Sequence, residues 1–215
     1  MTRRTLTLTT LTTTAALLLT ACGGSGGGKG DDIKGAATGS GSPSASASGW
    51  SPAPSDVKRP VITLPSNFQL TFENWTSSDP VKRAVLNDAK EQLRAGYAAI
   101  TANKTKSEAL SFYNTESGLL QVQQWIRTYT EKDLTVIGKL PIYDPKVSLA
   151  KTGIGAYLTY CSDESKAYSK DRKTGKEEGN PAGTDPHVFY AITLGKNAKG
   201  VWQTRSARSE RGACS

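Results

Sequence analysis

The sequence is poor in the side chains on which much enzyme chemistry depends. It contains one histidine, His187, and three cysteines in 215 residues. A zinc site needs several histidine or cysteine ligands at close spacing, and no such group occurs. There is no nucleophile elbow or phosphate-binding loop, because the glycine run 23–28 precedes no strand–helix unit. We therefore expect neither a metal nor a cofactor.

Acidic side chains are outnumbered by basic ones, and the formal net charge is +8. The excess of basic residues lies near the C-terminus, since residues 166–215 contain ten Lys and Arg against five Asp and Glu. Such a region would either meet anionic lipid or wall polymers outside a Gram-positive membrane, or simply keep the surface soluble. No basic patch interleaved with aromatic residues forms a known module, so we expect no nucleic acid partner.

No hydrophobic run is long enough to indicate a transmembrane helix. Arg3 and Arg4 precede an uncharged stretch, residues 5–20, that is short and rich in threonine. The stretch ends in Leu19-Thr20-Ala21-Cys22, which resembles the lipobox of bacterial lipoproteins. The resemblance implies a signal peptide over residues 1–21, cleavage before Cys22, and a diacylglyceryl group carrying chains such as palmitate on the Cys22 sulfur.

Lipid on Cys22 would hold the protein on the extracytoplasmic face of the cell membrane, because two or more acyl chains anchor a protein stably. Its partners would then be the membrane, through that anchor, and an unidentified envelope protein or small ligand. An ordinary secretory signal with a chance cysteine is the alternative. The general secretory route and the twin-arginine route both stay open.

Residues 22–65 are dominated by Gly, Ser, Ala and Pro, with Trp50 as an isolated aromatic. Such a composition cannot bury enough apolar surface to offset the entropy lost on ordering. We therefore predict a disordered tether that spans roughly 35 Å. The folded domain would occupy residues 66–215.

Two cysteines, Cys161 and Cys214, lie within this domain. In an oxidising compartment such a pair predicts a disulfide, and two free thiols are the alternative.

Helical periodicity dominates the first half of the domain. Asp79-Pro80 is a good helix start, and the spacing predicts a helix over 80–102. Shorter helices are predicted over 107–113 and 116–130. The second half favours strands, with a turn at Asp144-Pro145 and strands over 135–140, 146–151, 154–161, 166–171, 176–178, 187–195 and 201–207. This order predicts an α+β fold with helices packed on a curved antiparallel sheet.

Several features of the domain occur in a characteristic order. They are the helices at Asp79-Pro80 and Glu116–Thr130, the strand Tyr157–Asp163, the segment Asp171–Lys176, the Tyr190 strand, Gly200–Gln203 and Gly212–Cys214. Together they resemble the nuclear transport factor 2-like fold, a cystatin-like α+β cone found in many small actinobacterial lipoproteins and in polyketide cyclase-like proteins. The resemblance covers residues 66–215 and implies a cone-shaped pocket between helices and sheet. It also implies a disulfide that links the Cys161 strand to the C-terminus.

Aromatic side chains with polar tips suit the wall of an amphipathic pocket. Trp125 lies off the main apolar stripe of its helix, so it would face a pocket or a partner. Three arginines recur every third residue near the end, and would form an anion patch or solvate a final strand. The candidates are Tyr97, Trp125, Tyr129, Tyr157, Tyr190 and Trp202 for the pocket, and Arg205, Arg208 and Arg211 for the patch.

Enzymes of this fold place an Asp–His or Asp–Tyr pair in the cone as acid and base. Here His187 is predicted at a sheet rim, and Asp163 and Glu164 at a solvated strand end, so we expect no catalytic residue. The leading hypothesis is a noncatalytic module that binds a ligand or partner in the cell envelope. The alternatives are a cone-pocket isomerase, cyclase or hydrolase acting on a small hydrophobic molecule, and a domain that contacts wall polymers.

Overall fold

The computed structural model describes residues 57–214. The predicted signal peptide, the lipid site Cys22 and the tether as far as residue 56, with Trp50, lie outside the described residues. Among the described helices, none combines the length and apolar character needed to cross a bilayer.

Three helices form where the sequence predicts them. They are α1 (Pro80–Thr101), α2 (Glu108–Tyr113) and α3 (Glu116–Thr130). The helix start at Asp79 is confirmed, because its carboxylate accepts the backbone N–H of Val81 at 2.8 Å and satisfies a donor that the first turn leaves free. Ser107 and Thr115 cap α2 and α3 in the same way.

Within residues 57–214, seven strands form one sheet, in the order β5-β4-β2-β3-β6-β7, with β1 paired to β2 beside this path. Neighbours along the path are antiparallel, whereas β1 runs parallel to β2. The strands are β1 (Phe68–Phe72), β2 (Leu134–Leu149), β3 (Gly155–Asp163), β4 (Lys166–Asp171), β5 (Glu177–Glu178), β6 (His187–Lys196) and β7 (Trp202–Arg211).

The turn predicted at Asp144-Pro145 is wrong, because β2 runs through it. A bulge between Tyr143 and Lys146 absorbs the proline, and Asp144 takes a positive φ of 52° there. The bent strand pairs with β4, with β1 and with β3 along successive parts of its length. One long strand therefore replaces two predicted ones, and the bulge gives the sheet a sharp bend.

The fold begins upstream of residue 66, which differs from the predicted domain boundary. Ile62 and Leu64 pack against the core, and Arg94 Nη2 donates to the carbonyl of Ile62 at 2.9 Å. Farther upstream, Arg59 forms an ion pair with Asp88 of α1. The end of the predicted tether is thus part of the domain.

The architecture confirms the predicted α+β cone, with helices packed against a strongly curled sheet. The core lies between α1 and the sheet, where Val85, Ile100, Ile126 and Leu158 are fully buried. The predicted disulfide is confirmed as well, since Cys161 of β3 is bonded to Cys214 with their Cα atoms 6.1 Å apart.

Candidate functional site

A cavity of about 220 Å³ lies between α1, α3 and the sheet. Its floor comes from β2, β3, β6 and β7, and its remaining walls come from the helices and the residue that follows α2. The lining residues are Gln92, Leu93, Gly96, Tyr97, Asn114, Gly118, Gln121, Val122, Trp125, Ile142, Tyr160, Ser162, Tyr190, Ile192, Thr204, Ala207, Arg208 and Ser209.

Strand alternation puts every second residue of β3 on the cavity side of the sheet. Tyr160 lies opposite Tyr190 of β6, and Tyr190 lies opposite Ser209 of β7. The two phenol rings stack with centroids 5.0 Å apart and planes 15° apart. The same inward row of β3 continues two residues later at Ser162, which is 1% exposed.

The helical wall depends on a glycine in α1. Trp125 of α3 lies against Gly96, where a Cβ atom would be 2.9 Å from Cζ3 of the indole. Its ring meets that of Tyr97 edge to face, with centroids 5.2 Å apart and planes at 88°. Trp125 therefore faces the cavity. Its position off the apolar stripe predicted that it would face either a pocket or a partner.

The polar groups of the cavity fall into two kinds. Gln92 donates weakly to Asn114 Oδ1 at 3.4 Å, and Asn114 Nδ2 donates to the carbonyl of Leu110 at 2.8 Å. In contrast, Ser162 Oγ and Thr204 Oγ1 are buried and form no hydrogen bond of acceptable geometry with a described residue. Both oxygens are fully covered by protein atoms, and the Ser162 hydroxyl lies next to that of Tyr190.

Burial controls the protonation of the phenols in the wall. It raises the pKa of Tyr97 and of Tyr160 well above the ordinary value. It also raises the pKa of Tyr190, although the nearby Ser162 hydroxyl opposes part of that shift. The three hydroxyls stay neutral at physiological pH and serve as hydrogen-bonding groups. The lining contains no Asp, Glu or His, so it offers no carboxylate–imidazole pair for proton transfer.

A second cavity of about 240 Å³ lies beside β4, and Tyr97 belongs to the walls of both. It is more polar, because Glu164 and Arg211 face it and form an ion pair at 2.6 Å. Tyr129 lies here rather than in the first cavity. Burial raises the pKa of Tyr129, and the Glu164 carboxylate adds to the shift.

The structure divides the six aromatic candidates. Tyr97, Trp125 and Tyr190 line the first cavity, and Tyr129 lines the second. Two candidates are in neither wall. Tyr157 lies on the opposite face of β3, where it is 37% exposed, because it alternates with the buried Ala156 and Leu158.

Trp202 is the other exception. It is 1% exposed and belongs to the hydrophobic core rather than to a cavity wall. Its backbone N–H donates to Asp88 Oδ2 at 2.8 Å, which fixes the start of β7 against α1.

The three arginines predicted as an anion patch, Arg205, Arg208 and Arg211, have different surroundings in the structure. Arg208 belongs to the lining of the first cavity, whereas Arg211 belongs to that of the second. Arg211 pairs with Glu164, and Arg205 lies over Gly195 of β6. A spacing of three would gather them on a helix but disperses them along β7.

The acid–base candidates also lie apart from the first cavity. His187 is half-buried at the start of β6, and its Nδ1 is 2.9 Å from Asp185 Oδ1. Burial would raise the pKa of Asp163, but hydrogen bonds from the hydroxyl and the backbone N–H of Ser165, the latter at 2.8 Å, lower it overall. Within residues 57–214, no group of three His, Cys, Asp or Glu side chains could hold a metal ion.

Sequence reasoning missed the polar residues of the wall. Thr204 lies within the predicted strand 201–207, and Ser162 lies one residue beyond the predicted strand 154–161, in line with its inward row. The alternation of these strands therefore pointed to both positions. Gln92, Asn114 and Gln121 gave no such signal, because polar residues near helix ends or on helix faces are normally solvated. In the structure, Gln121 bonds the backbone N–H and carbonyl of Ala207 in β7, and Gln92 lies beside Asn114.

No protein-family model and no curated protein sequence matches the chain. Among solved structures, it is similar to a nuclear transport factor 2-like superfamily protein from Salmonella enterica, with 11% identity, a TM-score of 0.42, and 60% of this chain and 92% of that chain covered. It is also similar to a ketosteroid isomerase-like protein from Erwinia carotovora atroseptica, with 13% identity, a TM-score of 0.43, and 64% and 100% covered. A protein called Aln2 from a Streptomyces strain gives 12% identity, a TM-score of 0.43, and 63% and 93% covered. Likeness at this level says nothing of ligand or reaction.

Proposed function

We propose that this protein is a lipid-anchored binding protein of the extracytoplasmic membrane face, whose cone domain holds a small amphipathic molecule without transforming it. The observation that carries the proposal is the wall of the first cavity. Aromatic rings and carboxamides make up much of it, Arg208 is the one charged side chain in its lining, and the lining includes no carboxylate and no imidazole. Such a wall favours an amphipathic ligand and supplies no general base at neutral pH.

Binding is tested by titrating the purified domain with p-phenylphenol, a neutral two-ring probe, and following tryptophan fluorescence. Ala207→Phe puts a ring into the cavity wall, and Ser206→Phe puts the same ring on the exposed neighbouring position. We expect saturable binding by the unchanged protein and by Ser206→Phe, and loss of binding in Ala207→Phe. The probe should be recovered unchanged. Equal binding by both variants, or none by the unchanged protein, would refute the proposal.

The proposed membrane location of the protein rests on the resemblance of residues 19–22 to a lipobox. The test is mass spectrometry of the protein from its native host. We expect an N-terminal peptide that begins at Cys22 and carries the mass of a diacylglyceryl group, and a Cys22→Ala variant released from the membrane fraction. An intact, unlipidated N-terminus would remove the anchor from the proposal and leave the binding domain.

A further inference from the structure

The second cavity holds polar groups that the proposed function does not use. Its walls come from β1, β2, β4, α1 and α3, and from residues at the ends of β3, β5 and β7. Its volume of about 240 Å³ lies below the roughly 300–1,000 Å³ that is typical of sites for drug-sized ligands. The cavity therefore suits a molecule with a single ring.

An ion pair between Glu164 and Arg211 lies in the wall of this cavity. Arg211 Nη2 donates to Glu164 Oε2 at 2.6 Å, and Arg211 Nη1 donates to the carbonyl of Asp185 at 2.8 Å. These bonds hold the guanidinium in place and leave Glu164 Oε1 and Arg211 Nε without a hydrogen-bond partner among the described residues. The side chains of Glu164 and Arg211 are 23% and 39% exposed, so both retain surface for a ligand.

The charges around the cavity cancel in pairs. Glu178 is the third charged residue of the lining, and it forms an exposed ion pair with Lys176 at 2.6 Å. A charged ligand group beside Glu164 and Arg211 would be attracted by one of them and repelled by the other. It would lose its hydration without a net ionic gain, which is costly. A neutral hydroxyl can donate to the carboxylate and accept from the guanidinium at a much smaller desolvation cost.

The hydroxyl of Tyr129 lies near this ion pair. Burial raises the pKa of Tyr129, Glu164 adds to that shift and Arg211 opposes part of it, so both charges are within electrostatic reach of the phenol. No described residue forms a hydrogen bond with the Tyr129 hydroxyl, and protein atoms do not cover this oxygen completely. A ligand hydroxyl between the phenol and the ion pair would satisfy these groups together.

Apolar side chains complete the wall. Phe68, Val136 and Leu140 line the cavity, and the ring of Phe68 meets that of Tyr97 with centroids 5.0 Å apart. The ligand therefore needs hydroxyls for the polar groups and C–H surface for the apolar side chains. A saturated ring that carries several hydroxyls, as in a sugar, offers both.

We infer that the second cavity binds one neutral pyranose ring, either a free sugar or the terminal ring of a glycan, whose hydroxyls bridge Tyr129, Glu164 and Arg211. The site is distinct from the first cavity, since the two linings share only Tyr97. The inference therefore goes beyond the proposed function and does not depend on the ligand of the first cavity.

Calorimetry with matched six-membered rings tests the requirement for a neutral ring with several hydroxyls. The gluco and galacto series each supply a methyl β-glycoside, a cationic 2-amino sugar and an anionic uronate, and cyclohexanol is a ring with one hydroxyl. We expect saturable binding of at least one methyl glycoside by the unchanged protein. The amino sugar and the uronate of the same series should bind at least about threefold more weakly. Cyclohexanol should not bind measurably.

Disaccharides distinguish the two sources of the ring. Methyl β-cellobioside ends in glucose, and methyl β-lactoside ends in galactose. Affinity equal to that of the matching methyl glycoside identifies the end of a glycan as the ligand, whereas loss of binding identifies a free sugar.

Single substitutions then assign the polar contacts. Tyr129→Phe keeps the ring and should weaken binding of the methyl glycoside about three- to tenfold, which is the effect of one hydrogen bond. Tyr157→Phe is the matched control, because Tyr157 is 37% exposed and belongs to neither lining. Thermal unfolding should show that both variants are as stable as the unchanged protein, since neither hydroxyl has a hydrogen-bond partner among the described residues.

The charge variants give a second readout. Glu164→Gln leaves Arg211 without its ionic partner, so the uronate should bind this variant more tightly than the methyl glycoside does. Arg211→Gln leaves the Glu164 carboxylate unpaired, so the amino sugar should be preferred there. Opposite changes of preference cannot come from a general loss of folding.

Three outcomes would overturn the inference. They are no binding of any methyl glycoside, tighter binding of the amino sugar or the uronate by the unchanged protein, and equal binding by Tyr129→Phe and the unchanged protein. Ala207→Phe, which fills the first cavity, should keep sugar binding although it loses p-phenylphenol. A sugar that is lost in this variant would lie in the first cavity instead. Failure of p-phenylphenol to bind would count against the proposed function alone.

Discussion

At the scale of single residues, two helical glycines differ in what an added Cβ atom would meet. A Cβ at Gly96 would be 2.9 Å from a ring carbon of Trp125, whereas a Cβ at Gly118 would be 2.1 Å from the backbone oxygen of Thr204. A side chain can shift, but that oxygen cannot easily do so, because it accepts the N–H of Thr115 at 2.9 Å and holds α3 against β7.

We therefore predict different effects of alanine at these glycines. Gly118→Ala should lower the free energy of unfolding by about 2–3 kcal/mol through overpacking. Gly96→Ala should change it by less than about 1 kcal/mol, because the clash is offset by the better helix propensity of alanine. Denaturant unfolding measures both. Gly96→Ala should still weaken p-phenylphenol binding, because the indole that forms the wall must move. Equal stability losses would show that the two contacts are equivalent.

A second prediction concerns Asp88, which is 1% exposed. Burial raises its pKa, against the opposing effects of the Trp202 N–H and of Arg59. The folded protein therefore holds this proton at a pH where the unfolded chain, with a pKa of about 3.9, has released it. As the pH rises from below that value through the raised pKa, ionisation of Asp88 lowers the free energy of unfolding.

Asp88→Asn removes this titration and can still accept the Trp202 N–H. The stability of the unchanged protein relative to Asp88→Asn should fall as the pH rises through that window, and should then level off. Asp185 is the control of opposite sign, because bonds from His187 lower its pKa. Relative to Asp185→Asn, the unchanged protein should lose stability as the pH falls through the lowered pKa. Guanidinium unfolding at a series of pH values checks both, and parallel curves for the two variants would contradict the assignment.

At the scale of elements, the segment before β1 is fastened to α1 by few contacts. Arg59 pairs with Asp88 and lies over the ring of Tyr113, 6.0 Å from its centroid. The Arg59 side chain is 39% exposed, so solvent screens part of the pair. Even so, removing this cation leaves a buried carboxylate without its ionic partner.

We expect Arg59→Ala to lower the free energy of unfolding by about 1–3 kcal/mol, which is the cost of an incompletely satisfied buried group. Val61→Ala is the control in the same segment, since Val61 is 94% exposed and its truncation should change stability by less than about 0.5 kcal/mol. Limited proteolysis should also cut the segment 57–65 sooner in Arg59→Ala. A loss no larger than that of Val61→Ala would show that the pair does not hold the segment.

The helices could be predicted from sequence because their signals are local. Asp79, Ser107 and Thr115 are capping residues, and the apolar spacing behind each sets the helix face. The bend of β2 could not be predicted, since Pro145 favours a turn unless a bulge accommodates it. The strand β1 was missed because only its parallel pairing with β2, about seventy residues away in sequence, makes it a strand.

The candidate site was partly predictable for the same reason. Ring size and polar tips identified Tyr97, Trp125 and Tyr190 as cavity residues. The burial of Trp202 in the core depends on contacts with α1, which are distant in sequence and leave no local pattern. The spacing of the arginines did not place them, because residues three apart share a face on a helix but not on a regular strand.

At the scale of the whole molecule, one covalent link joins the middle of the sheet to the end of the chain. The Cys161–Cys214 disulfide bridges residues 53 apart in sequence and encloses β4, β5, β6 and β7. Cys161 alternates with Tyr160 and Ser162, so it lies on the face of β3 opposite the cavity. The link is therefore expected to act on stability and to leave the wall of the first cavity unchanged.

Loss of this link should lower the free energy of unfolding by about 4 kcal/mol, because the unfolded chain regains the freedom of a loop of that length. Cys161→Ser/Cys214→Ser and the chemically reduced protein should agree in guanidinium unfolding. The denaturant slope should rise in both, because an uncrosslinked unfolded chain exposes more surface. Below the transition, both forms should bind p-phenylphenol like the oxidised protein. A stability loss below about 1 kcal/mol would mean that the reduced chain stays compact when unfolded, whereas lost binding in a folded variant would mean that the link also shapes the cavity.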